Sequence, residues 1–245
     1  MRIWPLPAFP EIRAGDDLPA MIAATCTASG VLAGDVLCIA QKVVSKAEHR
    51  TINLSQVQPG TAARELAEAT GKDPALCELI LTESARIVRI RRSLVICETH
   101  HGLVCANAGI DASNVPTGHV VLLPRDPDAS ARRIQTAVSA AVGGRIGVVI
   151  TDTHGRAFRK GLVNVAIGVA GFRPVIDHRG EHDREGKTLV ATDQAIADEL
   201  AAASGIYMQK ASGTPVVCCS GVTTLPAPGA LSDLVRDPEQ DLFRG

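Results

Sequence analysis

NAGIDASN (residues 107–114) and ITDTHGRAFRKG (residues 150–161) each follow an apolar run that reads as a strand, residues 103–105 and 146–150. Each delivers an aspartate where the chain leaves that strand, Asp111 and Asp152. Two carboxylates brought together at strand ends form a hard oxygen site. Mg²⁺ and Mn²⁺ take carboxylate, hydroxyl and water oxygens, and usually complete their shell with substrate phosphates. Ser113 and Thr153 stand beside the two aspartates as hydroxyl ligands or water holders, while Arg156, Arg159 and Lys160 offer positive charge to phosphate oxygens. The plainer alternative is that both aspartates satisfy backbone N–H groups in local turns or caps. Two such turns, the second followed by three cations within eight residues, favour the metal and phosphate site.

Upstream of these turns, Gly15-Asp16-Asp17 supplies an N-cap for an apolar-periodic helix over residues 18–29. Gly34-Asp35 marks a turn into a strand at 36–40, and QKVVSKAE then places Lys42 and Lys46 where that strand gives way to a turn or helix start, a geometry at which anions collect. Two helices follow over 59–84, split at 71–74, and residues 85–105 alternate as three strands. Beyond Asp111, a buried strand spans 120–123, Asp126-Pro127 starts a long helix to about Val142, and Gly143-Gly144 ends it. The Gly-interrupted run 162–171 reads as a strand. The polar stretch holding Asp177, His178, Glu181, His182 and Asp183 has no repeating ligand spacing and reads as a mobile loop. Thr192-Asp193 is expected to cap an amphipathic helix running to about Met208, followed by a loop at 209–214, a strand at 215–219 and a weak C-terminal helix.

Several strands follow one another directly, without a strict βαβ rhythm. That predicts an α+β fold of mixed sheets with flanking helices, one domain of 245 residues with two closely packed lobes and no linker between them. The 25 basic and 26 acidic side chains nearly cancel, which leaves no electrostatic footprint for nucleic acid or an anionic membrane. No apolar stretch approaches a membrane span and prolines interrupt the N-terminal residues, so a cytoplasmic protein is expected. The seven cysteines, Cys26, Cys38, Cys77, Cys97, Cys105, Cys218 and Cys219, form no CxxC pair and read as free core thiols, with Cys218 and Cys219 on the two faces of one buried strand.

The chain has no GxxxxGK[ST], no GxGxxG opening a helix, no GxSxG and no HExxH. A metal and phosphate site built from dispersed segments survives that elimination, suited to phosphoryl chemistry or nucleotide-driven ligation.

The segments GDDL (15–18), GDVLCIAQKVVSKAE (34–48), NAGIDASN (107–114), DTHGRAFRKG (152–161) and AIGVAG (166–171), in this order, resemble the coenzyme F420-0:L-glutamate ligase family. The resemblance implies a homodimer of α+β subunits that binds GTP, two divalent ions (Mg²⁺ or Mn²⁺) and a monovalent cation such as K⁺. By position, Asp111 and Asp152 look like metal ligands shared with the nucleotide phosphates, and Thr153 and Gln209 like ligands of a second ion. Gln41, Lys42, Lys46 and Asn114 look like nucleotide contacts. So do the early turn Ala8, Phe9, Pro10 and Glu11 and the late loop Met208, Lys210, Ala211, Ser212 and Gly213. The implied reaction adds L-glutamate to the phospholactyl carboxylate of coenzyme F420-0 through an acyl phosphate, with Arg156 and Arg159 as charge-stabilising candidates and no side-chain nucleophile. A metal-dependent phosphohydrolase, with water attacking in the same site, and a GTP-binding module without turnover are the alternatives.

Overall fold

The computed structural model describes residues 1–7, 9–209 and 213–241. Its elements run β1 (Arg2–Pro5), α1 (Leu18–Ala28), β2 (Val36–Ala40), α2 (Gln41–Ala47), β3 (Thr51–Asn53), α3 (Thr61–Thr70), α4 (Pro74–Thr82), β4 (Ser84–Arg91), β5 (Leu94–Thr99), β6 (Val104–Ala106), β7 (His119–Val121), α5 (Pro127–Val142), β8 (Gly147–Arg156), β9 (Arg159–Ala170), β10 (Ile176–Asp177), β11 (Asp193–Gln194), α6 (Ile196–Met208) and β12 (Val216–Ser220). This is an α+β fold of mixed sheets, as the interleaving predicted.

Capping chemistry fixes the helix starts. The Asp17 carboxylate accepts from Ala20 N at 3.1 Å, Asp73 from Ala75 N at 2.7 Å, and Asp126 from Ala129 N at 2.8 Å, with a proline in the first turn each time. Gly71 (φ 69°) and Gly143 (φ 72°) end α3 and α5 in the left-handed conformation.

The central sheet has the order β1-β12-β2-β8-β9, antiparallel throughout except for β2 beside β8, which pair in parallel from Val36↔Gly147 to Ala40↔Thr151. Strand alternation splits its side chains between two cores. Leu37, Ile39, Val148, Ile150 and Cys218 pack with α1 and α5, while Val36, Cys38, Val149 and Cys219 pack with α6. Cys218 and Cys219 do face opposite sides, and all seven cysteines are free and buried. A third core joins α3 and α4 to the sheet β4-β5-β6 and takes in Ala108 from the NAGIDASN segment, with Ile110 packed against it.

Several boundaries differ from expectation. Residues 150–161 form no loop: β8 and β9 are a continuous hairpin in which Asp152 pairs with Val165 and Thr153 with Asn164, and the chain turns only at Ala157-Phe158. QKVVSKA, expected to open a turn or a helix, does open a helix, α2. Asp193 does not cap α6; it pairs with Asp177 in β11, and α6 starts three residues later. Of the polar stretch 177–183, expected as a loop, only Asp177 belongs to a strand, β10; the rest is turn and coil apart from an isolated bridge at His182, and His178 bonds Glu181 and Gln194 at 3.0 and 3.3 Å. The expected C-terminal helix is replaced by two short 3-10 turns, Leu231–Asp233 and Pro238–Gln240.

Candidate functional site

The parallel pairing of β2 and β8 brings the start of α2 and the outer half of the β8–β9 hairpin to the same end of the central sheet. A cleft of about 950 Å³ opens there. Phe9, Pro10, Glu11, Gln41, Lys42, Lys46, Asn114, Met208 and Gly213 line it, together with Asp111, Asp152, Thr153 and Gln209. Ligand candidates that the sequence scatters over about two hundred residues therefore line one cleft. Ala8, Lys210, Ala211 and Ser212 lie outside the described residues. Arg156, Arg159 and Lys160 stand exposed at the hairpin tip and do not line the cleft; the Arg156 guanidinium donates to the Lys160 carbonyl at 2.9 Å and so fastens the turn.

Asp111 is held by backbone and side chain together. Its N–H and C=O exchange hydrogen bonds with Val121 of β7 at 3.0 and 2.8 Å. Its carboxylate accepts from Ser113 N at 2.6 Å, from the Ser113 hydroxyl at 3.0 Å and from Lys42 Nζ at 2.9 Å, while Lys42 also donates to Ser113 Oγ at 2.6 Å. Burial pushes this carboxyl up, but the Lys42 and Ser113 bonds outweigh burial and hold it below its ordinary value, so it is a carboxylate at neutral pH. The turn before it is unusual: Asn107, Ala108 and Gly109 have φ of 51°, 54° and 73°. Such conformations cost about 1–3 kcal/mol each for residues other than glycine and gather at ligand sites. A Cβ on Gly109 would meet Leu123 at 2.8 Å, so only glycine fits.

Asp152 faces His154, two residues on along the same strand face, with Oδ2 3.1 Å from Nε2. Thr153, on the opposite face, donates its hydroxyl to Asn164 Oδ1 at 2.9 Å. Burial and then the Asp152 charge push the Cys105 thiol up to about 12, so this cleft thiol stays protonated and is no nucleophile. Lys46 is tied to Glu11, bringing the early turn against α2. The Gln41 carboxamide is buried and committed to Ser45 Oγ and the Leu122 carbonyl. The Oδ1 of Asn107 is buried with no partner among the described residues, an acceptor that would welcome a cation or donor.

The sequence did not single out Cys105, Asn107, His154 or Asn164. Taking residues 150–161 as a hairpin would have exposed two of them, because alternation puts 154 beside 152 and pairing puts 164 opposite 153. Among the described residues no three His, Cys, Asp or Glu side chains converge on one point, and no helix is long and apolar enough to cross a membrane.

A family model described as F420-0:Gamma-glutamyl ligase matches residues 8–221. Among curated relatives, the coenzyme F420:L-glutamate ligase of Methanothermobacter thermautotrophicus is 46% identical over 242 residues, 97% of this chain and 96% of its own. That of Methanopyrus kandleri is 44% identical over 249 residues, covering 100% and 98%, and that of Archaeoglobus fulgidus 36% over 245 residues, covering 100% and 96%. The chain belongs to the F420-0:gamma-glutamyl ligase family.

Proposed function

We propose, with membership of that family as the premise, that this chain joins L-glutamate to coenzyme F420-0 at the expense of GTP, and that the cleft between Lys42, Asp111 and Asp152 is where it does so. The observation that carries the proposal is the convergence on one cleft of the two aspartates, two lysines and the hydroxyl of Thr153. The donor set fits divalent cations. Asp111, Asp152 and Thr153 present hard oxygens, the Asn107 oxygen lacks a partner among the described residues, and the sparse protein shell leaves room for phosphate oxygens. Asp111 and Asp152 would hold one Mg²⁺ or Mn²⁺, and Thr153 with Gln209 a second. The chemistry such ions supply is neutralisation and alignment of the phosphates.

The protein's own residues then have defined tasks. Lys42 and Lys46 offset the charge on the nucleotide and are already held in place by Asp111, Ser113 and Glu11. An oxygen of the acceptor carboxylate attacks the γ-phosphorus, the bond from phosphorus to the bridging oxygen breaks, and GDP leaves with that electron pair. The glutamate amine attacks the resulting acyl carbon and loses a proton, the C–O bond to phosphate breaks, and an amide remains. Both steps need positioning more than acid or base groups, and the lysines and carboxylates lining the cleft supply it. The working unit in this proposal is a cytoplasmic homodimer with K⁺ as an auxiliary cation.

The test is GDP release from GTP with Mn²⁺ or Mg²⁺, with and without the deazaflavin acceptor and L-glutamate, and with the product weighed by mass spectrometry. Release that requires both co-substrates, a product heavier by glutamyl units, and a loss of at least about a hundredfold in Asp152→Ala are expected. Phosphate release indifferent to glutamate would instead mark a phosphohydrolase, and GTP retained without product a binding module.

A further inference from the structure

Asn164 sits opposite Thr153 on the β8–β9 hairpin, under the last turns of α6. Its carboxamide has one acceptor oxygen and two N–H donors, and both ends are in use. The oxygen takes the Thr153 hydroxyl at 2.9 Å, and Nδ2 reaches Thr151 Oγ1 at 3.4 Å and Met208 Sδ at 3.5 Å. The Met208 sulfur is a gathering point, since it also faces Thr151 Oγ1 at 3.6 Å and Ser204 Oγ at 3.8 Å. Met208 is the last residue of α6, and the next residue, Gln209, has φ of 29° and, like Met208, lines the cleft. One side chain thus links the hairpin hydroxyl to the helix end.

The direction of the first bond matters most. A threonine that has given its hydrogen to Asn164 keeps both lone pairs for another partner, which is what a hard cation needs. Gly205 supports this arrangement from the helix side. A Cβ there would lie 3.2 Å from Asn164 Cγ and 3.3 Å from Nδ2, so any side chain at 205 pushes on the carboxamide. Glycine in the interior of a helix normally costs stability; here its missing side chain lets α6 close on Asn164.

We propose that Asn164 is a positioning residue, holding the Thr153 hydroxyl as a ready acceptor toward a divalent cation in the cleft and coupling that hydroxyl to the end of α6. This rests on the metal–nucleotide reading of the cleft given above, and the experiment separates the two. Mn²⁺ affinity in the presence of GDP is measured by electron paramagnetic resonance for the wild type and for Asn164→Leu, Asn164→Asp and Gly205→Ala, with thermal melts to confirm folding. Removing a partner that orients a ligand typically weakens metal binding 10- to 100-fold, so Asn164→Leu is expected to lose about that much, while Asn164→Asp, which keeps the acceptor oxygen, stays within about threefold of wild type. Gly205→Ala shifts affinity in the same direction as leucine but less. Folded Asn164→Leu that binds within about twofold of wild type, or Asn164→Asp as weak as Asn164→Leu, would overturn the positioning role. A wild type that holds no Mn²⁺ with GDP would instead sink the metal–nucleotide reading itself.

Discussion

Asp111 shows that a turn residue and a ligand need not be alternatives. Its Oδ1 takes Ser113 N as an ordinary turn aspartate does, yet Lys42 and Ser113 Oγ share Oδ2. The pair has a signature in pH. The folded carboxyl lies below its ordinary value of 3.8, after burial is outweighed by Lys42 and Ser113. A depressed acid contributes stability that is full above its unfolded value and is lost as pH falls through the folded one. Because the Asp111 side chain is 37% exposed, solvent screens the pair, and its worth is about 1 kcal/mol or less. Lys42→Met should therefore lose stability less steeply than wild type between about pH 5 and pH 3, measured as the urea midpoint at successive pH values. Equal slopes in the two proteins would show that Lys42 does not hold the carboxyl down. At this scale the sequence revealed the aspartates and lysines because each sits in a short, chemically biased segment. Asn164 and His154 were hidden because their significance lies in cross-strand and same-face neighbours, which exist only once the hairpin register is known.

The hairpin was missed for a physical reason. Hydrophobic alternation marks a strand only while the strand has a core to face, and β8 is apolar and buried through Ile150. Thr151 is polar though still buried, and from Asp152 on the ladder continues with side chains facing a cleft or solvent, so the pattern turns polar while the backbone stays extended. Helices α1, α4 and α5 were legible because their signals are local, an Asp cap with a proline in the first turn. One glycine carries a contact between elements. A Cβ on Gly168 of β9 would lie 2.7 Å from the carbonyl carbon, oxygen and Cβ of Pro127 at the start of α5. That turn cannot retreat, because the Asp128 carboxylate accepts from Val169 N at 2.8 Å and Leu231 N at 2.9 Å. Gly168→Ala is thus expected to cost about 1–3 kcal/mol and to lower the melting temperature by roughly 2–12 °C. An unchanged melt would mean that the α5 start yields after all.

Across the whole molecule, the two aspartates belong to different cores. Asp152 extends from the central sheet, whereas Asp111 follows Ala108 and Ile110, which pack with α3, α4 and β5. The relation between the carboxylates therefore depends on what joins those bodies, and one side chain does so directly. Arg50, 7% exposed, donates from Nε to the carbonyl of Leu123, a residue of the sheet-side core, at 2.8 Å, and from Nη2 to Glu83, the residue ending α4, at 2.6 Å. Arg50 is buried while the Glu83 side chain is 19% exposed, so deleting Glu83 leaves a buried guanidinium short of one partner and costs on the order of 1–3 kcal/mol, against a total stability of about 5–15 kcal/mol. In Glu83→Ala the two bodies should come apart in steps. The cysteines report each side separately: Cys77 and Cys97 lie in the α3–α4 core, and Cys38 and Cys219 under α6. Pulsed thiol labelling across a urea gradient, read by mass spectrometry, should give coincident transitions in the wild type. In Glu83→Ala, Cys77 and Cys97 should be labelled at lower urea than Cys38 and Cys219. Transitions that stay coincident in the variant would show that apolar contact alone unites the bodies, and that the spacing of the two carboxylates does not depend on Arg50.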